Sequence, residues 1–212
     1  MKISSFILVM FFFVTTMNAQ DVKQIKLPSP DKTKGAPVMK AFNDRHSDRT
    51  YASEKLTQQD LSDLLWAANG INRPDGKRTA PSCRNLQEIG VYVILPEGAY
   101  LYDEKANVLT LLTEGDYRTA VAGGQDFVKS APVCIVLSAD LTRFGGTINE
   151  STKLMASVDV GIVCQNINLA CAGLGLATVP RATMDQTTLK RVLKLKDTDL
   201  LLMNNPVGYP KK

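Results

Sequence analysis

The chain of 212 residues has the length and composition of one ordinary globular domain, with 44% hydrophobic and 22% charged residues. Its formal net charge is +4 and no basic cluster is interleaved with aromatic residues, so charge gives no support to a nucleic-acid or membrane-surface partner. Four cysteines are too few for a fold that depends on disulfides, and their spacing with the single histidine does not indicate a zinc site.

The first residues predict a secretory signal peptide over residues 1–19. Lys2 supplies the positive charge, residues 6–14 form a short apolar run, and Ala19 precedes the expected cleavage site. That run is about half the roughly 20 residues of a membrane-spanning helix, and no later segment is expected to span a membrane. Cleavage would leave 212 − 19 = 193 residues and a net charge of +3, because only Lys2 is removed. We therefore expect a protein exported to the periplasm.

The mature chain opens with a predicted extended arm over residues 20–37, which are rich in Lys, Pro, Ser and Gly and have no periodicity. The arm could wrap a neighbour or stay loose. One domain is predicted over residues 38–212, and its mixture of patterns indicates an α+β class. Helices are predicted over 38–44, 57–69, 154–174 and 186–193, and strands over 91–95, 99–102, 108–112, 133–137, 177–179 and 200–203.

Two of these helices carry specific local signals. Residues 57–60 form a capping-box pattern that begins the second helix, and Gly70 closes it. The helix over 154–174 is apolar on nearly every side, which predicts a central buried helix. Cys164 and Cys171 lie about 10 Å apart along it, too far to bridge each other, so we expect both to be buried thiols.

Two short polar segments are candidates for ligand binding. The first, residues 45–49, places two arginines, a histidine and a serine within five positions, which suits an anion or a heterocycle rich in acceptors. The second, residues 81–87, offers short neutral donors and acceptors after a turn-rich loop. Taken alone, each is better explained as a solvated helix end or a turn.

The order and spacing of the two segments resemble the nitroreductase family. In that family an Arg-Arg/His-Ser-x-Arg/Lys sequence precedes a helical stretch, and a Pro-Ser-x-x-Asn-x-Gln sequence follows. Residues 159–161, 165–166, 172–176 and 178–180 resemble its central helix and the segment after it, and residues 207–210 its C-terminal strand end. The resemblance covers residues 38–210 and extends to a superfamily with dehydrogenase-like relatives of SagB type. It implies a nitroreductase-like fold, with a central, mostly antiparallel sheet flanked by helices.

The resemblance also implies a homodimer with an FMN site shared between its two subunits. One subunit would contribute the first segment, with Arg45 near the pyrimidine edge of the flavin and Arg49 towards its phosphate, and the other subunit the second segment. The backbone after Pro180 would face the reactive N5 atom, and no side chain would be catalytic, since the flavin carries the chemistry. The cofactor-binding residues implied in this way are Arg45, His46, Ser47, Arg49, Pro81, Ser82, Cys83, Asn85, Gln87, Pro180, Arg181, Ala182 and Lys211.

Three departures from the family pattern affect the site. Cys83 stands where a hydroxyl or small residue is common, which weakens one expected hydrogen bond. Arg181 follows Pro180 where many members carry an acidic residue, so carboxylate-assisted binding of NAD(P)H is not supported. The basic pair that members place near the C-terminus is either Lys211 and Lys212 or absent.

Two functions are compatible with these segments. The first is an oxidoreductase that exchanges hydride with a nitroaromatic, a quinone or a similar conjugated compound, in a direction and with an electron donor that stay open. NAD(P)H is scarce outside the cytosol, so export leaves the donor undecided. The second is a flavin carrier with little turnover. Gln165 and Asn166 are expected to satisfy buried backbone or an interface, and Arg181 either to attract an anionic substrate or to be exposed.

Overall fold

The computed structural model describes residues 23–211. The expected signal peptide and Lys212 lie outside this range. Within it, seven strands form one sheet in the order β1-β4-β3-β2-β5-β7-β6, and every neighbouring pair is antiparallel. The strands are β1 (Gln24–Lys26), β2 (Ile89–Leu95), β3 (Gly98–Asp103), β4 (Val108–Glu114), β5 (Val133–Asp140), β6 (Ala177–Thr178) and β7 (Asp199–Gly208).

Five α-helices accompany this sheet in the described range. They are α1 (Val38–Asp44), α2 (Gln58–Asn69), α3 (Arg118–Ala122), α4 (Glu150–Leu174) and α5 (Gln186–Val192). Three single-turn 3₁₀ helices lie at Cys83–Asn85, Asp126–Ser130 and Leu141–Phe144. The fold is therefore α+β with an antiparallel sheet, as predicted, and the predicted helices and strands are present with small shifts at their ends.

The sheet is covered on both faces, and central strand β5 shows how. Val133, Ile135 and Leu137 face a core that includes α2 and α4, whereas Cys134 and Val136 face a second core that includes α3 and α5. A strand buried on both faces needs apolar residues at successive positions. This explains why residues 133–137 form a continuous apolar run rather than an alternating one.

Helix α4 crosses the first face of the sheet. Asn149 caps its start by accepting a hydrogen bond from the Thr152 amide (3.0 Å), and Gly175 ends it in the left-handed conformation (φ 72°). By length and composition α4 meets the criterion for a membrane-spanning helix, a criterion that mostly buried core helices also meet. It packs against α2, β5 and β7, so its apolar composition is that of a core helix with one exposed apolar patch near its start.

The arm packs against its own chain. Strand β1 pairs with β4, and the Gly173 carbonyl accepts a hydrogen bond from the Ala36 amide (2.8 Å). Lys34 donates to Asp60 (2.5 Å) at the start of α2, and Asp60 also accepts from Thr57 and from the C-terminal Tyr209 hydroxyl. Asp60 therefore ties together the arm, α2 and the last strand.

Three elements differ from expectation. Strand β1 lies in the arm that was expected to wrap a neighbour or stay loose, and it pairs with β4 of the same chain instead. Helix α3 is absent from the prediction because its five residues are too few to show a helical period. Strand β7 runs to Gly208 rather than ending at Met203, and it continues through Pro206. The Pro206 carbonyl is satisfied by the Thr178 hydroxyl (2.9 Å), which keeps this part of the strand paired in the interior.

Candidate functional site

The first donor segment, residues 45–49, begins where α1 ends. The Arg45 amide closes the helix on the Ala41 carbonyl (3.0 Å), and the Asp48 amide donates to Thr178 (2.9 Å) at strand β6. The segment is thus held by its backbone against the C-terminal end of α4 and the strand that follows. His46 is exposed, and its Nδ1 lies 2.7 Å from the Asp44 carbonyl oxygen.

The remaining side chains of the first donor segment are available to a ligand. Within residues 23–211, the side chains of Arg45, Ser47 and Arg49 form neither a hydrogen bond nor an ion pair. A cavity of about 230 Å³ beside the segment is lined by His46, Asp48, the end of α4 and Pro210. Two guanidinium groups without carboxylate partners, next to a cavity, form a donor set suited to a phosphate or a carbonyl edge.

The second donor segment, residues 81–87, has an irregular and tightly held backbone. Arg84, Asn85 and Gln87 all have positive φ, between 51° and 56°, a conformation that is uncommon for residues other than glycine. The Ser82 hydroxyl accepts from the Gln87 amide (2.9 Å), and the Gln87 side chain donates to Gly76 (3.1 Å). Strained backbone that is held by several bonds is typical of ligand-binding segments. These left-handed residues were not predicted, because none of them is a glycine.

The second segment is anchored to the N-terminal half of α4. The Cys83 amide donates to the carboxylate of Asp159 (2.8 Å), and Cys83 lines a cavity of about 330 Å³ with Thr152 and Met155. In the sequence, Asp159 is a polar interruption of an apolar helix and belongs to the residues that resemble the family's central helix. Its role in holding the second donor segment appears only in the structure.

The two donor segments lie at opposite ends of α4. Met155 lies beside the second segment and Ala172 beside the first. These positions are 172 − 155 = 17 residues apart, which corresponds to about 25 Å of helix. The two segments of one chain therefore cannot both grip a single aromatic ring system.

Residues 180–182 follow strand β6. The Arg181 backbone exchanges two hydrogen bonds with Asn204 of β7 (2.8 and 2.7 Å), while Ala182 is exposed. The Arg181 side chain is buried. It donates to Asn204 (2.6 Å) and Gln125 (3.0 Å), and to the carbonyls of Val121 (3.0 Å) and Ala122 (2.7 Å) in the last turn of α3.

This geometry corrects the expectation that the Arg181 side chain is exposed. It is buried, and its guanidinium donates four hydrogen bonds within the protein. Burial lowers the pKa of this guanidinium, and the described chain gives it no carboxylate partner. The contribution of this segment to a cofactor site is left to its backbone.

The remaining predicted residues lie where the chain ends. Pro210 lines the cavity beside the first donor segment, and it pairs with Tyr51 in an isolated antiparallel bridge. Lys211 follows directly and is exposed. The four cysteines are free thiols, with Cys134, Cys164 and Cys171 buried and Cys83 half-buried, as expected for the two on α4. Asn166 donates to the Ala68 carbonyl (3.2 Å), which confirms its structural role.

Comparisons with known proteins show which protein family the chain belongs to. The model of the nitroreductase family matches residues 43–209. A protein of Methanocaldococcus jannaschii named as a nitroreductase is 31% identical over 197 residues, covering 89% of this chain and 97% of that one. A crystal structure from Ralstonia eutropha, also titled as a nitroreductase, superposes with a TM-score of 0.82 at 34% identity, covering 89% and 90% of the two chains.

A third relative is the FMN reductase [NAD(P)H] of Bacillus subtilis, which is 26% identical over 187 residues, 82% of this chain and 66% of that protein. The chain belongs to the nitroreductase family, and it is an FMN-dependent oxidoreductase. The predicted family and the predicted fold are thereby confirmed.

Proposed function

We propose that the protein is an exported oxidoreductase that binds FMN between two identical subunits and exchanges hydride with a conjugated small molecule such as a nitroaromatic or a quinone. The observation that carries the proposal is the separation of the two donor segments along α4. Each segment offers polar groups that suit a flavin, yet one chain cannot bring them together.

A second copy of the chain would bring them together. In a two-fold dimer with antiparallel α4 helices, the C-terminal end of one α4 lies beside the N-terminal half of the other. The exposed apolar side chains favour such contact. On α1, Met39 is 75% and Phe42 53% exposed, and on the first half of α4, Leu154 is 64% and Val158 49% exposed.

The residues present fit an FMN group. Arg45, Ser47 and Arg49 have unengaged donors for the carbonyl edge and the phosphate, and Lys211 is an exposed cation that directly follows Pro210, a residue of the cavity beside the first segment. The second segment adds neutral groups from Ser82, Asn85 and Gln87. When bound, FMN supplies the hydride-accepting and hydride-donating chemistry at N5, in alternating half-reactions. The chain orients the cofactor, and the positive charge of Arg45 favours electron uptake beside it.

The proposal also concerns the electron donor that reduces the bound flavin. The B. subtilis relative is named for NAD(P)H, whereas in this chain the residue after Pro180 is a buried arginine and not a carboxylate. Export would also separate the protein from the cytosolic nicotinamide pool. We therefore expect a donor other than NAD(P)H to reduce the bound flavin faster.

The test starts from the absorption spectrum of the purified protein. Flavin bands, followed by anaerobic bleaching with NADH, NADPH or a reduced quinone and recovery with a nitroaromatic or a quinone, would support the oxidoreductase. Retained colour with every donor would favour the flavin carrier, the function that the Arg181 departure also suits. A colourless protein that does not bind added FMN would refute both.

Export and dimerisation are tested separately. N-terminal sequencing of the protein from fractionated cells should find Gln20 as the first residue in the periplasmic fraction. Light scattering should give twice the mass of the processed chain. An unprocessed cytosolic protein would contradict export and leave the chemistry untouched.

A further inference from the structure

Two carboxyl groups are buried where the second donor segment meets α4, and their side chains interact. Glu88 directly follows the segment and is 3% exposed, and Asp159 of α4 is also 3% exposed. Asp159 accepts the Cys83 amide hydrogen (2.8 Å). Both carboxyl oxygens of Glu88 are shielded from solvent and have no donor within residues 23–211. A buried ionised carboxylate can only accept hydrogen bonds, so it destabilises the fold unless a hydrogen-bond donor reaches it.

The surroundings do not neutralise this pair. Arg143 approaches from the 3₁₀ helix after β5, but its side chain is exposed and donates to the Leu86 carbonyl (3.3 Å). The cavity that Glu88 lines also contains Arg78, Asp140, Lys194 and Lys196. Arg78 is already paired with Glu104, Lys196 lies 3.5 Å from Asp140, and neither lysine donates to Glu88. Two ionised carboxylates in this environment would repel each other without a counter-charge.

One proton would remove the repulsion between the two carboxylates. A protonated carboxyl group donates an O–H bond to its neighbour, which satisfies an orphaned oxygen and replaces repulsion by attraction. Burial, and then the adjacent Asp159, raise the pKa of Glu88 to about 7. The added donor is therefore present under mildly acidic conditions and lost as the pH rises through neutrality.

We propose that Glu88 and Asp159 share one proton and act as a positioning pair for the second donor segment, so that the grip on FMN is tighter while the proton is present. The inference rests on the proposed FMN site. Glu88 acts through Asp159, which holds the Cys83 amide and with it the left-handed backbone of residues 84–87. When the proton is lost, the two carboxylates push apart and the Cys83 anchor is disturbed.

Two isosteric variants and one control test the pair. Glu88→Gln and Asp159→Asn each supply a permanent N–H donor between the two side chains without titrating. Asp140→Asn removes the same charge from the same cavity, but the Asp140 carboxylate caps Thr142 (3.0 Å), pairs with Lys196 (3.5 Å) and forms no hydrogen bond with either side chain of the pair. The control should therefore behave like the wild type.

The first measurement is the FMN dissociation constant of the full-length protein as a function of pH. For one linked proton, the FMN affinity of the wild type and of Asp140→Asn should fall by up to about tenfold per pH unit above neutrality. Glu88→Gln and Asp159→Asn should show a flat profile over the same range. An equal slope in Glu88→Gln and in the wild type would overturn the positioning role.

The second measurement does not depend on FMN. The infrared carbonyl band of a protonated carboxyl group should titrate near neutral pH in the wild type and disappear in Glu88→Gln. In Asp159→Asn the band should titrate at lower pH, because the Asp159 charge no longer raises the Glu88 pKa. The Cys83 amide resonance of the wild type should shift with the same midpoint as its band. The absence of the band at every pH would overturn the shared proton. If the protein binds no FMN, the proposed function fails, while the band and the amide still decide whether the pair exists.

Discussion

The shared site makes a prediction that can be tested by mixing two defective chains. One chain carries Arg45→Ala in the first donor segment. The other carries Asn85→Gly and Gln87→Gly in the second, where glycine keeps the left-handed backbone that both residues adopt. In a hybrid dimer with a shared site, one site receives all the damaged residues and the other receives none.

The expected magnitudes follow from the bonds removed. Losing a hydrogen bond from a charged group costs about 1.5–3 kcal/mol, which weakens FMN binding about 10- to 100-fold. Losing two neutral side-chain bonds costs about 2 kcal/mol, or about 30-fold. Each parental homodimer should therefore bind FMN weakly at both sites. The hybrid should contain one site of wild-type affinity and one that is weaker than either parent.

The assay uses co-expressed chains with different affinity tags, so that two purification steps isolate the hybrid. FMN titration followed by fluorescence quenching then counts the tight sites per dimer. A hybrid of two differently tagged wild-type chains is the control and should show two tight sites. If the defective hybrid shows no tight site, FMN binds within one chain, and the argument from the length of α4 is wrong.

Three further predictions concern single residues. Arg45→Ala should lower both the retention of FMN and its reduction potential, measured spectroscopically, because a positive charge beside the reduced ring is lost. An unchanged potential would show that Arg45 does not lie beside the flavin ring. Arg181→Met should lower the free energy of unfolding by about 3 kcal/mol in urea titrations, since it removes four hydrogen bonds and leaves the buried Asn204 side-chain oxygen without its donor, and Arg181→Lys should lose less. A thiol reagent at mildly alkaline pH should modify Cys83 alone in the native protein without FMN. The other three thiols are buried, and burial raises the pKa of Cys164 to about 11 and of Cys134 to about 12. Rapid labelling of a second thiol would contradict this packing.

The local elements followed from local patterns. Thr57 caps α2 through the Asp60 amide, and the run at residues 133–137 forms a strand buried on both faces. These features depend on neighbours in sequence, so periodicity and capping chemistry were sufficient to predict them. The same holds for the two donor segments, whose order and spacing indicated the family that the comparisons confirmed.

Contacts between distant residues were not predictable in this way. The burial of Arg181 depends on carbonyls from α3, a helix too short to recognise, and on Asn204 of a strand that runs longer than expected. The arm offered two alternatives, and its pairing with β4 depends on a strand edge about 80 residues away along the chain.

The sequence by itself determined the fold class, the family and the identity of the donor segments, because these depend on residue types at short and regular spacings. Only the tertiary structure decided that the two segments lie at opposite ends of α4 and that Glu88 meets Asp159 beneath one of them. The physical reason is that burial and the distance between remote groups are properties of packing. A carboxylate in the sequence does not show whether water, a cation or a second carboxylate will face it.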